Sequence, residues 1–220
     1  MLIGFAVGYH DLFHWTHEGI TDPTHANYDE IIAGKAGFLN IPFFLARTVG
    51  YFFIWAMMWW FLKRESDKED LKGGTLFYHR LVRFSAAFLV IFAVTSSTSA
   101  WDWVMSIDTH WYSTMFGWYV FASWFVTGLC VITLIVVNLK KAGYLSKVNA
   151  NHLHNLGLFM FAFSIFWSYI WLSQFLLIWY ANIPEESIYF IERFYENFGN
   201  YTPVVVLTLL LNFLFPFLFL

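Results

Sequence analysis

The chain has 220 residues, of which 59% are hydrophobic and 23% aromatic, while only 12% are charged. Soluble domains have about 25% charged residues, and one water-soluble core cannot bury this much apolar surface. The composition therefore excludes a soluble protein and predicts a membrane protein. The net charge of −3 argues against nucleic-acid binding. The single cysteine, Cys130, can form neither an internal disulfide nor a zinc motif.

Five apolar runs follow one another along the chain, and each has about the 20 residues that a membrane-spanning helix needs. Residues 1–40 are predicted to form the end of a preceding helix and an outer-face loop. The runs lie at 41–62, 81–105, 114–139, 153–181 and 203–220. They predict an all-α integral membrane fold. Its parts are a four-helix transmembrane bundle over 41–181, an outer-face loop over 182–202 and the start of an additional C-terminal transmembrane helix over 203–220.

Lysines and arginines are concentrated in two links between these predicted spans. The first link, 63–83, contains six of them, and the second, 140–152, contains three. The turn at 108–113 has none, and 182–202 has one. Because cytoplasmic loops carry an excess of lysine and arginine, both basic loops are predicted to be cytoplasmic. The other connections then lie on the outer face.

The second predicted span ends in the sequence TSSTSAWDW, which combines hydroxyls with a carboxylate. Thr95, Thr98 or Ser99, and Asp102 are three or four residues apart, so they share a helix face. In lipid such groups face the bundle interior or a cavity, and a carboxylate beside hydroxyls can pass a proton onward. These four residues are therefore candidates for a proton path. The alternative is that the hydroxyls hold helices together and that Asp102 caps or pairs.

Three more charged or titratable residues are proton-path candidates. Arg47 lies about two turns inside the first span, where it either extends to the surface or pairs with a carboxylate such as Asp102 or Glu185. Asp108 and His110 lie in the turn that follows the second span. Histidine is the side chain type that most readily exchanges protons near neutral pH, so His110 is a candidate to accept a proton released at the outer face. Turn formation within an interfacial aromatic belt is the alternative.

Other residues are candidates for contact with quinone or with a partner surface. His10 and His14 belong to HDLFHWTHE, which differs from the His-Glu-x-x-His zinc motif and offers no third ligand, so no metal site is predicted. Trp101 and Trp103 flank Asp102. No histidine lies in the middle of a span, and no cysteine set is present. We therefore expect this chain to bind neither haem nor an iron–sulfur cluster itself.

Two long stretches resemble the membrane subunits of bacterial alternative complex III, a quinol-oxidising respiratory complex. They are WDWVMSIDTHWYSTMFGWYVFAS at 101–123 and HNLGLFMFAFSIFWSYIWLSQFLLIWYANIPEES at 154–187. The resemblance covers most of 40–220. Within that family the chain is most similar to the ActF-type subunit, which is a relative of the NrfD-like ActC subunit.

The resemblance implies a place in the bacterial cytoplasmic (inner) membrane and two four-helix bundles per full subunit. This chain would supply the second bundle and the last helix, as the C-terminal half of that larger subunit. The implied partners are an NrfD-like membrane subunit, a multihaem cytochrome c, an iron–sulfur subunit, a monohaem cytochrome c and, in some complexes, a terminal oxidase. Haem c and iron–sulfur clusters in those subunits carry electrons from quinol, and phospholipids surround the membrane part.

The implied role of this chain is proton translocation without a redox centre of its own, together with contact to quinone or lipid. The chain alone is then not expected to be catalytic. Two other readings remain open at this point. One is a purely structural membrane anchor of the complex, and the other is an NrfD-like quinone-binding anchor of a molybdoenzyme-type reductase.

Overall fold

The structure, a computed structural model, describes residues 8–196 and 201–220. It is 80% helical, and the described residues contain no strand. Five helices are long and apolar enough to cross a membrane. The chain therefore has the architecture of an all-α multi-pass membrane protein, as the composition predicts. The predicted helix end at 1–9 falls mostly outside the described residues.

Seven helices organise the described chain. They are α1 (Glu30–Lys35), α2 (Ile41–Lys72), α3 (Thr75–Trp103), α4 (Met115–Lys141), α5 (Ala150–Ala181), α6 (Pro184–Ile191) and α7 (Thr202–Phe219). Helices α2, α3, α4, α5 and α7 correspond to the five predicted spans. Pro42 lies in the first turn of α2, as predicted, and Asn40 caps that helix by accepting a hydrogen bond from the backbone N–H of Phe43.

The basic segment 63–83 is helical, so its prediction as a loop was wrong. Helix α2 continues to Lys72, and only Gly73 and Gly74 separate it from α3. Both glycines have positive φ, +65° and +86°, which lets the chain reverse within two residues. The helix continues beyond Leu62 because an ion pair within its polar end, between Lys68 and Glu65 one turn earlier, stabilises the helical conformation. Its cytoplasmic location stays a prediction.

The segment 182–202 also contains helix where a loop was predicted. Helix α6 begins at Pro184, whose missing N–H is not needed in a first turn. Glu185 and Glu186 follow in that turn, where carboxylates interact favourably with the helix dipole. A π-helical turn over Glu192–Glu196 comes next.

The chain divides into two compact units, Met1–His110 and Trp111–Leu220. In the first unit, α2 packs antiparallel against α3. Side chains from the segment before α2 pack with side chains of α2 and α3 into one apolar core, which contains Phe13, Trp15, Ile20, Ile32, Phe44, Tyr51 and Trp103. In the second unit, α4 packs against α5, and the last helical segment also contacts α5. The four-helix bundle over 41–181 stays a prediction.

Most apolar side chains of the five spans face outward. In the most apolar part of each span no more than 22% of the residues are buried. Exposed aromatic and aliphatic side chains therefore cover the apolar part of these helices, for example Phe53, Leu89 and Leu134. Such continuous apolar surface requires lipid or other protein around it.

Candidate functional site

A buried ion pair joins α2 to α3 in the first unit. Arg47 Nε donates to Asp102 Oδ2 at 2.9 Å, and Arg47 Nη2 donates to Asp102 Oδ1 at 2.6 Å. The guanidinium thus binds the carboxylate through two parallel hydrogen bonds. Asp102 is fully buried, whereas 11% of the Arg47 side chain remains exposed. Charge-assisted bidentate pairs are the strongest hydrogen-bonded contacts in proteins, so this is the dominant polar contact between the two helices.

The segment 36–40 between α1 and α2, which we call the Phe38 segment, holds Arg47 from the other side, together with Phe43 in the first turn of α2. Arg47 Nη2 also donates to the backbone carbonyl of Phe38 at 3.0 Å. The Phe38 and Phe43 rings lie 3.9 Å and 4.1 Å from the guanidinium carbon. Cation–π contacts of this kind gain strength where water is excluded. The Phe38 segment therefore fixes the side of the guanidinium that Asp102 leaves open.

A tyrosine completes the cluster. The Tyr51 hydroxyl donates to Asp102 Oδ2 at 3.0 Å, and Tyr51 lies one turn after Arg47 on α2. Asp102 thus accepts three hydrogen bonds from two side chains of the neighbouring helix. The buried Arg47 Nη1 has no hydrogen-bond partner among the described residues. We refer to Arg47, Tyr51 and Asp102 as the acid cluster.

Aromatic rings separate the acid cluster from the rest of the helix pair. Trp103 packs edge-on against Tyr51, with ring centroids 5.9 Å apart, and its indole N–H donates to Thr48 Oγ1 at 3.1 Å. Trp55 packs edge-on against Trp103 at 5.9 Å. These apolar rings cover one side of the cluster, and the buried Asp102 carboxylate interacts with Arg47 in a lower dielectric than water.

The predicted hydroxyls are present on α3, and each bonds back to its own helix. Thr95, Ser99 and Asp102 are all buried, and Thr98 is half-buried, so the predicted shared face exists. Each hydroxyl, however, donates to a carbonyl of its own helix, for example Ser99 Oγ to the Ser96 carbonyl at 2.9 Å. Thr95 in addition accepts the indole N–H of Trp55 at 3.0 Å. Back-bonding of this type is the alternative that the sequence left open.

Asp108 and His110 lie away from the acid cluster's hydrogen bonds and belong to a second polar group. His110 Nε2 pairs with Asp29 Oδ2 at 2.6 Å, and Asp29 also caps α1 through the backbone N–H groups of Ile31 and Ile32. Burial raises the pKa of the Asp29 carboxyl, but hydrogen bonds from Ile32 and His110 outweigh it, so the pKa lies below its ordinary value.

Lys35 at the end of α1 forms the second contact of this polar group. Its ammonium donates to the backbone carbonyl of Thr109. Burial lowers the pKa of Lys35, while the charges of Asp108 and Asp29 oppose that effect. Together, Asp29 and Lys35 attach the turn after α3 to the short helix α1. We call this contact the α1 clasp.

The remaining predicted residues lie at the surface or in the aromatic wall. His10 and His14 are exposed, and His10 Nδ1 lies 3.1 Å from Thr16 Oγ1. Trp101 is half-buried, and its buried indole nitrogen has no hydrogen-bond partner among the described residues. The described residues contain no group of three or more histidine, cysteine or acidic side chains placed to hold a metal ion.

The second unit has a separate aromatic cavity of about 400 Å³ beside α5 and α6. Its walls are mainly apolar rings and aliphatic side chains, among them Phe175, Trp179 and Phe190. Asn182, Ser187 and Thr202 supply its polar edge. Apolar and aromatic walls with a few polar groups are typical of sites for small-molecule ligands. None of these residues was a candidate on sequence grounds.

Sequence reasoning missed three members of these polar groups. Tyr51 follows Arg47 by four residues, and this helical spacing was the available signal. Asp29 precedes EIIAGK, a pattern typical of a helix cap. No local signal marks Lys35, because its partner carbonyl at Thr109 is 74 residues away in the sequence.

Neither the protein-family models nor the curated proteins compared with this chain give a match. The likeness to alternative complex III therefore rests on the two quoted stretches alone.

Proposed function

We propose that this chain is a membrane subunit of a respiratory quinol:cytochrome c or quinol:oxidase oxidoreductase. In this proposal it has no redox centre of its own, and it contributes to proton translocation through Asp102. One observation carries the proton role: Asp102 is fully buried near the end of a membrane-spanning helix, and its partners are the Arg47 guanidinium and the Tyr51 hydroxyl. An ionisable residue within a membrane span is a functional candidate by default.

The acid cluster supports two states of Asp102. With Arg47 in place, the carboxylate is ionised and its charge is balanced. In this proposal, Asp102 takes up a proton when Arg47 moves away, because a buried charge without a partner is costly. The proton binds at a carboxylate oxygen and leaves when the guanidinium returns. Arg47 cannot carry the proton itself, since a guanidinium stays protonated in proteins.

The Phe38 segment offers a means to control that exchange. The Phe38 carbonyl and the Phe38 and Phe43 rings hold the guanidinium at the surface-facing side of the pair. A shift of this segment would change how firmly Arg47 binds Asp102. In an assembled complex, such a shift could follow from quinol oxidation in a neighbouring subunit.

A structural anchor is the second candidate, and a specific observation favours it. The bidentate pair and the back-bonded hydroxyls resemble contacts that fix helices in register. Contact with quinone, as in the NrfD-like reading, has the aromatic cavity beside α5 and α6 as its best site. Both alternatives predict that Asp102 is dispensable for proton movement.

The deciding experiment uses the intact complex in proteoliposomes and measures protons moved per electron. We expect Asp102→Asn to reduce this ratio while the complex assembles and oxidises quinol. Asp70→Asn, which changes an exposed carboxylate at the other end of α2, is the control and should leave the ratio unchanged. An unchanged ratio in Asp102→Asn would favour the structural anchor.

If Asp102→Asn prevents assembly, Tyr51→Phe keeps the ion pair and removes only one hydrogen bond from the carboxylate. In the proton-translocation proposal this variant assembles and alters the pH dependence of proton movement. A pH dependence identical to that of the unaltered complex would oppose the proposal.

A further inference from the structure

A second cavity, of about 420 Å³, lies in the first unit towards the end where α2 and α3 are joined. It is unrelated to the acid cluster, which occupies the opposite end of the same helix pair. Its walls combine arginines with phenylalanines. The lining residues are Phe61, Arg64, Glu65, Arg80, Arg83 and Phe84.

The cavity carries a surplus of positive charge. Glu65 is its one carboxylate; its side chain is only 8% exposed, and it pairs with Lys68 and, at 3.6 Å, with Arg80. Arg64 and Arg83 form no ion pair with any described residue. Two guanidinium groups at the cavity wall are therefore available to an anion. Guanidinium groups bind phosphate through paired hydrogen bonds.

The position of the cavity along the helices matches the lipid headgroups. A hydrocarbon core about 30 Å thick takes roughly 20 helical residues. Twenty residues counted from Ile41 along α2 end at about Trp60, and twenty counted back from Trp103 along α3 end at about Phe84. Both counts end at the cavity. Its arginines thus lie just outside the hydrocarbon layer, and its phenylalanines lie at the boundary.

The aromatic residues of the cavity form a surface that a hydrocarbon chain can contact. Phe61 and Phe84 stack across the two helices, with ring centroids 6.0 Å apart. They form an apolar side to the cavity next to the charged side. Arg64 lies over the Trp60 ring at 5.1 Å, which positions its guanidinium at the interface. A ligand with a phosphate beside a hydrocarbon chain would satisfy both sides.

We propose that this cavity binds the phosphodiester headgroup of an anionic phospholipid, with phosphatidylglycerol as the model ligand. Arg64 and Arg83 contact the phosphate, Glu65 holds Arg80 at the cavity wall, and the phenylalanines contact the start of the acyl chains. Basic cavities between spanning helices on the cytoplasmic side are a recognised type of anionic-lipid site. The proposal depends on the membrane location of α2 and α3 and not on a respiratory function.

The test measures lipid retention by the purified membrane protein in nanodiscs that contain equal amounts of phosphatidylglycerol and phosphatidylcholine. After detergent washing, bound lipid is identified by mass spectrometry. We expect retained phosphatidylglycerol in the unaltered protein and an affinity loss of about 25-fold in the Arg64→Gln/Arg83→Gln variant, from the contribution of two basic residues near a membrane surface. Lys140→Gln/Lys141→Gln removes the same charge elsewhere and should retain the lipid.

Three outcomes would overturn the proposal. Equal retention of both lipids by the unaltered protein would show that no anionic site exists. Displacement of the lipid by millimolar inorganic phosphate would indicate a site for a soluble anion. A photo-crosslinking amino acid at Phe84 that captures a protein chain instead of lipid would identify the cavity as a subunit interface. If the double variant does not fold, Arg83→Gln alone should show an intermediate, measurable loss.

Discussion

Removal of Arg47 is the sharpest stability test of the acid cluster. The substitution Arg47→Gln leaves the Asp102 carboxylate fully buried, with the Tyr51 hydroxyl as its remaining side-chain donor. It removes two charge-assisted hydrogen bonds, at 2.9 Å and 2.6 Å. Each such bond contributes about 1.5–3 kcal/mol, and breaking a buried pair at one partner costs about 3–5 kcal/mol. We therefore expect a loss of about 4 kcal/mol in the free energy of unfolding.

The assay is a double-mutant cycle in mild detergent, with unfolding followed by thermal denaturation. The four proteins are the unaltered chain, Arg47→Gln, Asp102→Asn and the double variant. Because each single variant leaves one member of the buried pair without its hydrogen-bonding partner, the double variant should lose less stability than the sum of the two. Lys63→Gln, which removes an exposed lysine from the same helix, should change stability by less than about 0.5 kcal/mol.

A coupling energy near zero would refute the reasoning. It would mean that water or lipid compensates each charge as well as its partner does. A small cost for Arg47→Gln alone, below about 1 kcal/mol, would have the same meaning, because surface ion pairs fall in that range.

Three further predictions concern other contacts. Asp29→Asn should loosen the α1 clasp: because the pKa of Asp29 lies below its ordinary 3.8, its stabilisation exists above that pH and disappears as the pH falls through the lower value. Amide-exchange protection factors at α1, taken relative to the intrinsic exchange rate at each pH, should therefore fall in acid in the unaltered protein and already be lower at pH 6 in the variant, whereas similar protection factors would contradict the clasp. Trp55→Phe removes the hydrogen bond to Thr95 and should cost about 1 kcal/mol in denaturation assays. Gly73→Ala meets no neighbouring atom but requires a positive φ, so it should cost about 1 kcal/mol, and a stabilising effect would show that the turn differs.

The helices could be predicted from sequence because membrane spans depend on local composition. All five apolar runs became helices, and Pro42 marked the start of α2. The ends of the helices were harder to predict than their positions. The run after Leu62 is charged, and charge usually indicates a loop, but helical spacing of Glu65 and Lys68 lets α2 continue to Lys72. Composition cannot distinguish a solvated loop from a helix that extends beyond the membrane.

The acid cluster was predictable in part. The sequence predicts Asp102 and Arg47 as candidates because charges inside apolar runs are rare, and a buried arginine needs a carboxylate. The α1 clasp was not predictable: the sequence marks Asp29 as a helix cap, but no local signal marks its contact with His110 or the contact of Lys35. Their partners are fixed only when the chain folds back over more than 70 residues. Long-range contacts between short polar segments leave no periodic signal in a sequence.

The acid cluster and the aromatic wall also explain how α2 finds its register against α3. Lipid tails are as apolar as the helix surfaces, so hydrophobic burial alone does not align two spans. Polar contacts between the two helices do so, among them Arg47 with Asp102, Thr48 with Trp103, and Trp55 with Thr95. Residue numbers rise along α2 as they fall along α3, and a slip of one turn would break all three.

This redundancy makes a structural role and a proton role compatible. If Asp102 takes up a proton and Arg47 moves away, the two indole hydrogen bonds, from Trp103 to Thr48 and from Trp55 to Thr95, still hold the helices in place. The change would then be confined to Arg47 and the Phe38 segment that contacts it. A pair that fixed the register alone could not change its charge without separating the helices. A pair supported by two neutral contacts can change its charge while the helices stay together.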